Sequence, residues 1–241
     1  MVELFDSFLQ FDLSVFQWIQ SIHNEFLNAL MVGITTLGNG GAIFIVIGLA
    51  LLCTKKYRKA GLAVIVALLV MLLCNDLFLK EFFARPRPFN LYETNPEKYA
   101  FWGEAYIYPE IIGKPTSFSF PSGHTSSAFA AAFALLWHNR KFGIPLTFFA
   151  AVMGFSRVYV QVHYCTDVLF GVLSGAVCAL IAVAIVKFLF PVVDKGIDKL
   201  AANGQIATQY VDLENKATGD VHFNPNGSIF AIEGITSPDG R

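Results

Sequence analysis

The amino-acid sequence predicts an all-α fold, a multi-pass transmembrane helical bundle of about five spanning helices plus an N-terminal interfacial helix. Hydrophobic residues make up 55% of the 241 residues and charged residues only 15%, whereas soluble domains carry about 45–50% apolar and about 25% charged residues. The mean hydropathy is +0.54. Five segments also approach the roughly 20 apolar residues that a membrane-spanning helix needs.

The five apolar segments lie at roughly 28–53, 60–80, 122–137, 142–157 and 167–190. The last is the most uniformly apolar. The third contains SSAFAAAFALLW, whose small side chains suit close helix packing in lipid. Buried helices of a soluble protein are the alternative, but five of them in a chain of 241 residues would leave little polar surface. Their length and number therefore favour membrane spans.

The N-terminal segment 4–22 has a different pattern from the five spans. Its apolar residues recur at helical spacing, and Asp6 and Asp12 lie between them. This pattern predicts an amphipathic helix that lies at the membrane interface rather than across the bilayer.

Basic residues in the connections predict the orientation of the bundle. They follow the first, third and fifth spans: Lys55, Lys56, Arg58 and Lys59, then Arg140 and Lys141, then Lys187 and Lys195. By the positive-inside rule these connections are cytoplasmic, so the loops near 84–120 and 158–166 face outward. We expect a multi-pass plasma-membrane protein with a cytoplasmic C-terminus and its functional groups on the extracytoplasmic side.

Charge and cysteine content exclude several classes of site. The formal net charge of -1 offers no basic face, so we expect no nucleic-acid partner. The four cysteines form no CxxC pair, which disfavours a disulfide framework or a zinc site. No cluster of metal-ligating residues is visible in the sequence, and we expect neither a metal ion nor a cofactor.

Polar residues concentrate in three patches at 80–88, 121–124 and 156–167. Charged residues at membrane depth are costly and usually functional. Lys80, Arg87 and Arg157 would repel one another unless an anion lay between them, which indicates a site for a tetrahedral oxyanion. Asp76 lies four residues before Lys80 and is a second candidate partner for that lysine.

Helix geometry adds to this anion site. Ser122 is a favourable N-cap, and Gly123 lets the backbone approach a ligand closely. His163 and Asp167 are four residues apart, so the carboxylate can hold one ring nitrogen and present the other. A lone histidine such as His124 is more often structural, and only the joint spacing of the patches favours chemistry.

The spacing KxxxxxxRP, then PSGH, then SRxxxxxHxxxD, from Lys80 to Asp167, resembles the signature of the type-2 phosphatidic acid phosphatase superfamily in its membrane branch. The resemblance implies a metal-independent lipid phosphatase. His163 would attack phosphorus to form a phosphohistidine, Asp167 would orient it, and His124 would protonate the leaving oxygen and then activate water. The phosphoryl oxygens would be bound by the remaining motif positions, Lys80, Arg87, Ser122, Gly123 and Arg157.

The motifs specify the phosphate and leave the lipid open. Membrane lipids are the expected surroundings, and the expected substrates are undecaprenyl pyrophosphate, phosphatidylglycerol phosphate and phosphatidic acid, in that order. A vanadate-dependent haloperoxidase shares the oxyanion site, but those proteins resemble soluble helical proteins. A non-enzymatic transporter or scaffold is the third class, and the presence of both His124 and His163 disfavours it.

The chain divides by composition into a membrane-embedded phosphatase domain, 1–199, and a short polar tail, 200–241. The tail is glycine-rich and contains the turn signals NPNG and SPDG. Its stretches NGQIATQYVD and IEGITSPDGR resemble a fragment of the glutaminase region of phosphoribosylformylglycinamidine synthase. The nucleophilic cysteine motif of that region is missing, so we expect a non-functional, fusion-like segment without amidotransferase activity.

Overall fold

The computed structural model describes residues 2–94 and 112–214 and two strands within 220–233, with side chains over 5–94 and 112–203. The described residues before the two strands are mostly helical, as predicted. The helices and strands are α1 Val2–Ser21, α2 Glu25–Leu37, α3 Ala42–Cys53, α4 Arg58–Met71, α5 Lys80–Phe83, α6 Pro88–Thr94, α7 Gly123–His138, α8 Arg140–Tyr159, α9 Cys165–Glu214, β1 Asp220–Phe223 and β2 Ile229–Glu233.

The first predicted span is broken into two helices. A 3-10 turn, Asn39–Gly41, separates α2 from α3, and the two helices are bent by 48°. Gly40 and Gly41 have φ angles of 62° and 67°, in the left-handed region that only glycine enters at little cost. The bend therefore follows from the sequence NGG.

The second span changes its helical type midway. An eight-residue π-helix, Leu72–Leu79, continues α4 and leads into α5. At Ala84 the backbone turns left-handed with a φ of 45°, which ends α5. Pro86 and Pro88 follow and prevent the helix from continuing, because proline lacks the N–H donor.

Three described helices are long and apolar enough to cross a membrane, within Arg58–Thr94, Arg140–Tyr159 and Cys165–Asn203, and the bent pair α2 and α3 makes a possible fourth. Helix α7, which matches the predicted span 122–137, has 16 residues and falls short of the length required. The multi-pass helical bundle is therefore confirmed, whereas the number of about five spans is not.

Small residues allow the helices of the bundle to approach closely. A Cβ on Gly175 of α9 would lie 2.8 Å from the carbonyl oxygen of Ser126 in α7. A Cβ on Gly61 of α4 would lie 2.4 Å from the backbone nitrogen of Leu52 in α3. The close packing predicted for the alanine- and serine-rich helix α7 is thus observed, because α7 contributes backbone as well as side chains to its contacts.

The N-terminal helix α1 is packed more deeply than its pattern indicated. Phe16 and Ile19 are fully buried beside Tyr159 and Tyr164. Asp6 is exposed, but Asp12 is fully buried, contrary to the placement of both aspartates on a polar face. Its burial has a physical reason: Asp12 forms an ion pair with Arg85, so the charge is compensated inside the protein.

Two compact units divide the chain between Phe190 and Pro191. The first unit contains every predicted site residue. In the second, α9 continues to Glu214, and β1 pairs antiparallel with β2, with Asp220 opposite Glu233. The absence of a function in the tail stays a prediction.

Candidate active site

The three polar patches of the sequence meet at one cavity of about 640 Å³ in the first unit. The cations, the glycine and both histidines of the motifs line it: Lys80, Arg87, Gly123, His124, Arg157 and His163. Ser122 and Asp167 are fully buried directly behind this lining. The site residues taken from the motifs are therefore all in one place.

His163 lies in the short connection between α8 and α9, with its ring between a cation and a carboxylate. Nε2 is 3.2 Å from Nη1 of Arg87, which is only a donor, so Nε2 accepts and Nδ1 carries the proton. Nδ1 faces Oδ2 of Asp167 at 3.5 Å. Nε2 is therefore the unprotonated ring nitrogen, and its lone pair becomes available for attack once Arg87 transfers this hydrogen bond to a bound anion.

Electrostatics keep the His163 ring neutral. Burial is the main cause that lowers the pKa of His163 well below its usual range, and the positive charges of Arg87 and Arg157 lower it further. A neutral imidazole retains the lone pair that a nucleophilic nitrogen requires.

Asp167 is held by several donors. Its Oδ2 accepts hydrogen bonds from the Ser119 hydroxyl at 2.5 Å and from the Tyr164 backbone N–H at 3.0 Å. Its Oδ1 accepts from Nη1 of Arg85 at 2.6 Å. These contacts prevent the carboxylate from rotating away from His163.

The arginines of the cavity are anchored by neutral acceptors. Arg87 donates to the carbonyl oxygens of Ser117 at 2.7 Å and Val162 at 2.8 Å. Arg157 donates to the hydroxyl of Thr35 at 2.5 Å. Neutral acceptors leave both positive charges available to an anion, which favours oxyanion binding between them.

Lys80 is paired with Asp76, as one of the two interpretations of the sequence expected. Its Nζ lies 2.5 Å from Oδ1 of Asp76, and both residues line the cavity. An anion that enters the cavity therefore competes with Asp76 for this lysine.

Ser122 and Gly123 have different positions at the start of α7. The Ser122 hydroxyl accepts from the Thr125 hydroxyl at 2.9 Å and caps the helix, and the Ser122 backbone N–H bonds the carbonyl oxygen of Asp167. Gly123 reaches the cavity, where a Cβ would come within 3.1 Å of Nζ of Lys80. The backbone N–H groups at the start of α7 that an anion could bind are therefore those at Gly123 and His124.

His124 lines the same cavity as His163 and is oriented by a residue that the motifs do not include. Its Nε2 lies 3.1 Å from Oδ1 of Asn39, in the turn between α2 and α3. Since Oδ1 only accepts, Nε2 carries a proton there. Gly38 packs beside this ring, because a Cβ at that position would lie 2.8 Å from Cδ2 of His124.

Sequence reasoning missed Asn39, Ser119 and Arg85. Arg85 falls among the spacer residues of the first motif, since the spacing KxxxxxxRP selects Arg87, and only the repeated Arg-Pro pair in RPRP could have drawn attention to it. The glycine-flanked Asn39 was the available signal at the bend. Ser119 had no signal, because its role depends on a contact across the fold.

The cavity also has an apolar part to its lining. These residues are aliphatic side chains and a methionine from α3, α4 and the π-helix: Ile45, Ile65, Leu68, Leu69, Met71 and Leu72. The aromatic loop 92–108, predicted to sit at the interface or to line a lipid entrance, lies mostly outside the described ranges. A lipid carrying a phosphate matches the two kinds of lining in this cavity.

Comparison with known protein families and structures also indicates a membrane phosphatase. Residues 42–191 match the PAP2 superfamily, and residues 156–241 match the CobB/CobQ-like glutamine amidotransferase domain. Undecaprenyl-diphosphatase BcrC of Bacillus subtilis is 32% identical over 170 residues, which are 70% of this chain and 76% of the relative. An undecaprenyl-diphosphatase of Sulfolobus acidocaldarius is 31% identical over 176 residues, which are 73% of this chain and 78% of the relative.

Solved structures show the same fold. The PAP2-type phosphatidylglycerolphosphate phosphatase of Bacillus subtilis superposes with a TM-score of 0.52 at 27% identity, covering 76% of this chain and 94% of that one. Aquifex aeolicus LpxE superposes with a TM-score of 0.54 at 24% identity, covering 71% and 94% of the two chains. The family match spans 42–191, which includes every motif residue, and the chain belongs to the PAP2 superfamily.

Proposed function

We propose that this membrane phosphatase hydrolyses a lipid diphosphate, with undecaprenyl pyrophosphate as the first candidate, through a phosphohistidine at His163. One observation carries the proposal: His163 and three cations line one cavity together with a set of aliphatic side chains. Phosphatidylglycerol phosphate and phosphatidic acid are the other candidate substrates.

The cations supply what phosphoryl transfer requires most, which is stabilisation of charge on the equatorial oxygens. Arg87 and Arg157 bind the phosphoryl oxygens, and Lys80 exchanges its contact with Asp76 for one with the phosphate. The backbone at Gly123 adds the helix N-terminus. These groups hold the phosphorus in line with Nε2 of His163, and no metal ion is needed.

In the first chemical step, the lone pair of Nε2 attacks phosphorus and the bond from phosphorus to the leaving oxygen breaks. The leaving oxygen takes the electron pair and receives a proton from Nδ1 of a doubly protonated His124, because Nε2 keeps its proton on Asn39 and the bound phosphate offsets the cations that otherwise keep this ring neutral. For a lipid diphosphate this releases the lipid monophosphate. Asp167 accepts the Nδ1 proton of His163 in a hydrogen bond and stabilises the positive ring that forms.

In the second step, His124 removes a proton from water, and the water oxygen attacks phosphorus. The bond from phosphorus to Nε2 breaks, the electron pair returns to the ring nitrogen of His163, and inorganic phosphate leaves. Asn39 keeps the His124 ring directed at the position shared by the leaving oxygen and the water.

The lipid assignment rests on the relatives and on the lining of the cavity. Both named undecaprenyl-diphosphatases cover more than two thirds of this chain. The aliphatic walls formed by residues such as Ile65 and Leu68 suit a hydrocarbon chain beside the phosphate. By the positive-inside rule the site opens on the extracytoplasmic side of the plasma membrane.

The direct test compares the parent protein, His163→Ala and His138→Ala in detergent with EDTA present. The panel contains undecaprenyl pyrophosphate, phosphatidylglycerol phosphate and phosphatidic acid, and the readout is released phosphate. We expect His163→Ala to lose activity by about 1000-fold or more, because a nucleophile cannot be replaced by its neighbours. We expect undecaprenyl pyrophosphate to have the highest kcat/KM.

His138→Ala is the matched control, since His138 ends α7 and does not line the cavity. It should retain parental activity. Equal activity in the parent and His163→Ala would reject the nucleophile, and a strict requirement for a divalent cation would reject the metal-independent mechanism.

A further inference from the structure

Asp12 and Arg85 are buried charges that the proposed reaction does not use. Asp12 lies in α1 and Arg85 lies between α5 and α6, and their side chains are 0% and 3% exposed. Neither residue lines the cavity. Buried charges are costly unless they are paired, so their retention beside the site requires an explanation.

Arg85 connects the two buried aspartates. Its Nη1 donates to Oδ1 of Asp167 at 2.6 Å, and its Nη2 donates to Oδ2 of Asp12 at 2.9 Å. Its guanidinium also lies over the rings of Tyr164 at 3.8 Å and Phe5 at 4.5 Å. Arg85 is therefore fixed by its hydrogen bonds and by stacking, and it cannot swing into the cavity as a phosphate ligand.

Asp12 also holds the first turn of α9. Its Oδ1 accepts from the backbone N–H of Thr166 at 2.9 Å, and its Oδ2 accepts from the Thr166 hydroxyl at 2.7 Å. Thr166 directly precedes Asp167, so an aspartate from α1 caps the helix that bears the carboxylate facing His163. The same hydroxyl accepts from Nη1 of Arg85 at 2.8 Å, which closes the network.

We propose that Asp12 and Arg85 are positioning residues for the reaction, which together hold the Asp167 carboxylate at His163 and preserve its negative charge. Arg85 holds Asp167 through Oδ1, which keeps Oδ2 on the side of the His163 ring, where it also accepts from Ser119 and the Tyr164 backbone. Asp12 shares the positive charge of Arg85, so Asp167 is not neutralised and can stabilise the positive ring of the intermediate. The proposal rests on the proposed function, because it assumes attack by His163.

Charge and geometry predict a specific effect of Asp12→Asn. The amide has the same shape and its oxygen can still accept from the Thr166 backbone N–H, but its NH2 replaces the oxygen that accepted from Arg85 and from the Thr166 hydroxyl. Arg85 is then left with Asp167 as its only carboxylate among the described residues. Asp167 should become a poorer partner for the His163 ring. The rate of phosphohistidine formation should therefore fall by about tenfold or more, in the range seen when outer-shell partners are removed. KM should change by less than about twofold, since neither residue touches substrate.

The experiment is a rapid-quench measurement of phosphoenzyme with undecaprenyl pyrophosphate labelled in its terminal phosphate. It compares the parent, Asp12→Asn, Arg85→Lys and the control Asp6→Asn, an exposed aspartate of the same helix. A positioning role predicts a slower rate with an unchanged amplitude per mole of enzyme for Asp12→Asn and Arg85→Lys. A purely structural role instead lowers the amplitude and leaves the rate unchanged. Asp6→Asn should match the parent in both.

Each outcome decides the proposal. A parental rate in both Asp12→Asn and Arg85→Lys overturns it, and so does a loss of amplitude alone. If neither variant can be purified as folded protein, the network serves stability only and the proposal is again overturned. Failure of the proposed function is distinguished from these results, because the parent itself would then form no phosphoenzyme that His163→Ala abolishes.

Discussion

Gln161 has a backbone conformation that side chains rarely adopt. It lies two residues before His163 with a φ of 56°, and it is 1% exposed. Its side-chain amide has no hydrogen-bond partner among the described residues. A left-handed conformation costs a non-glycine residue about 1–2 kcal/mol. The turn that presents His163 is therefore strained at this residue.

The strain predicts that Gln161→Gly is more stable than Gln161→Ala. Both changes remove the buried amide, but only glycine also removes the Cβ that crowds a left-handed backbone. We expect the glycine variant to be more stable by about 1 kcal/mol, measured as the shift in thermal midpoint of the detergent-solubilised protein. An alanine variant as stable as the glycine variant would show that the turn relaxes at no cost.

At the scale of single helices, α7 and α9 are in contact through their backbones. A Cβ on Gly175 would lie 2.8 Å from the carbonyl oxygen of Ser126 and 2.9 Å from the backbone nitrogen of Ala130. Backbone atoms within a helix cannot move aside as a flexible side chain can. The glycine is therefore needed for the spacing of the two helices that bear His124 and Asp167.

We predict that Gly175→Ala destabilises the protein by about 1–3 kcal/mol, the usual range for overpacking. Helix propensity acts in the opposite direction, since alanine is about 1 kcal/mol better than glycine inside a helix. Thermal unfolding in detergent measures the difference. Gly33→Ala is the matched control, because no atom outside its own helix backbone lies within 4 Å of the added Cβ, and its stability should be unchanged or higher.

The helices that hydropathy predicted are present because length and composition suffice to identify them. Their interruptions were harder to predict. The hydropathy pattern predicts the segment 28–53 as one span, although the turn Asn39–Gly41 breaks it. The π-helix Leu72–Leu79 has no sequence pattern that distinguishes it from an α-helix. The motif residues could be named in advance because their spacing is distinctive. Partners such as Arg85 could not, because an ion pair with Asp12 joins residues 73 positions apart.

For the whole molecule, the division at Phe190 and Pro191 separates the site from the tail. The described residues that line the cavity run from Thr35 to His163, and Asp167 lies just behind them, so all of these groups belong to the first unit. The match of residues 156–241 to the amidotransferase domain overlaps the PAP2 match up to residue 191. The overlap contains Arg157, His163 and Asp167, three of the proposed site residues, which favours the PAP2 match for this stretch.

This division predicts that removing residues 200–241 leaves phosphatase activity intact. The truncation retains α9 through Lys199 and thus the whole predicted apolar segment 167–190. We expect kcat and KM for the best lipid substrate to stay within about twofold of the parent, because the described residues that line the cavity all precede the deleted part. Phosphate release from purified, correctly inserted protein is the measurement, and a His163→Ala copy of the truncation sets the background. Loss of activity in well-folded truncated protein would give the tail a role in the reaction that its composition does not indicate.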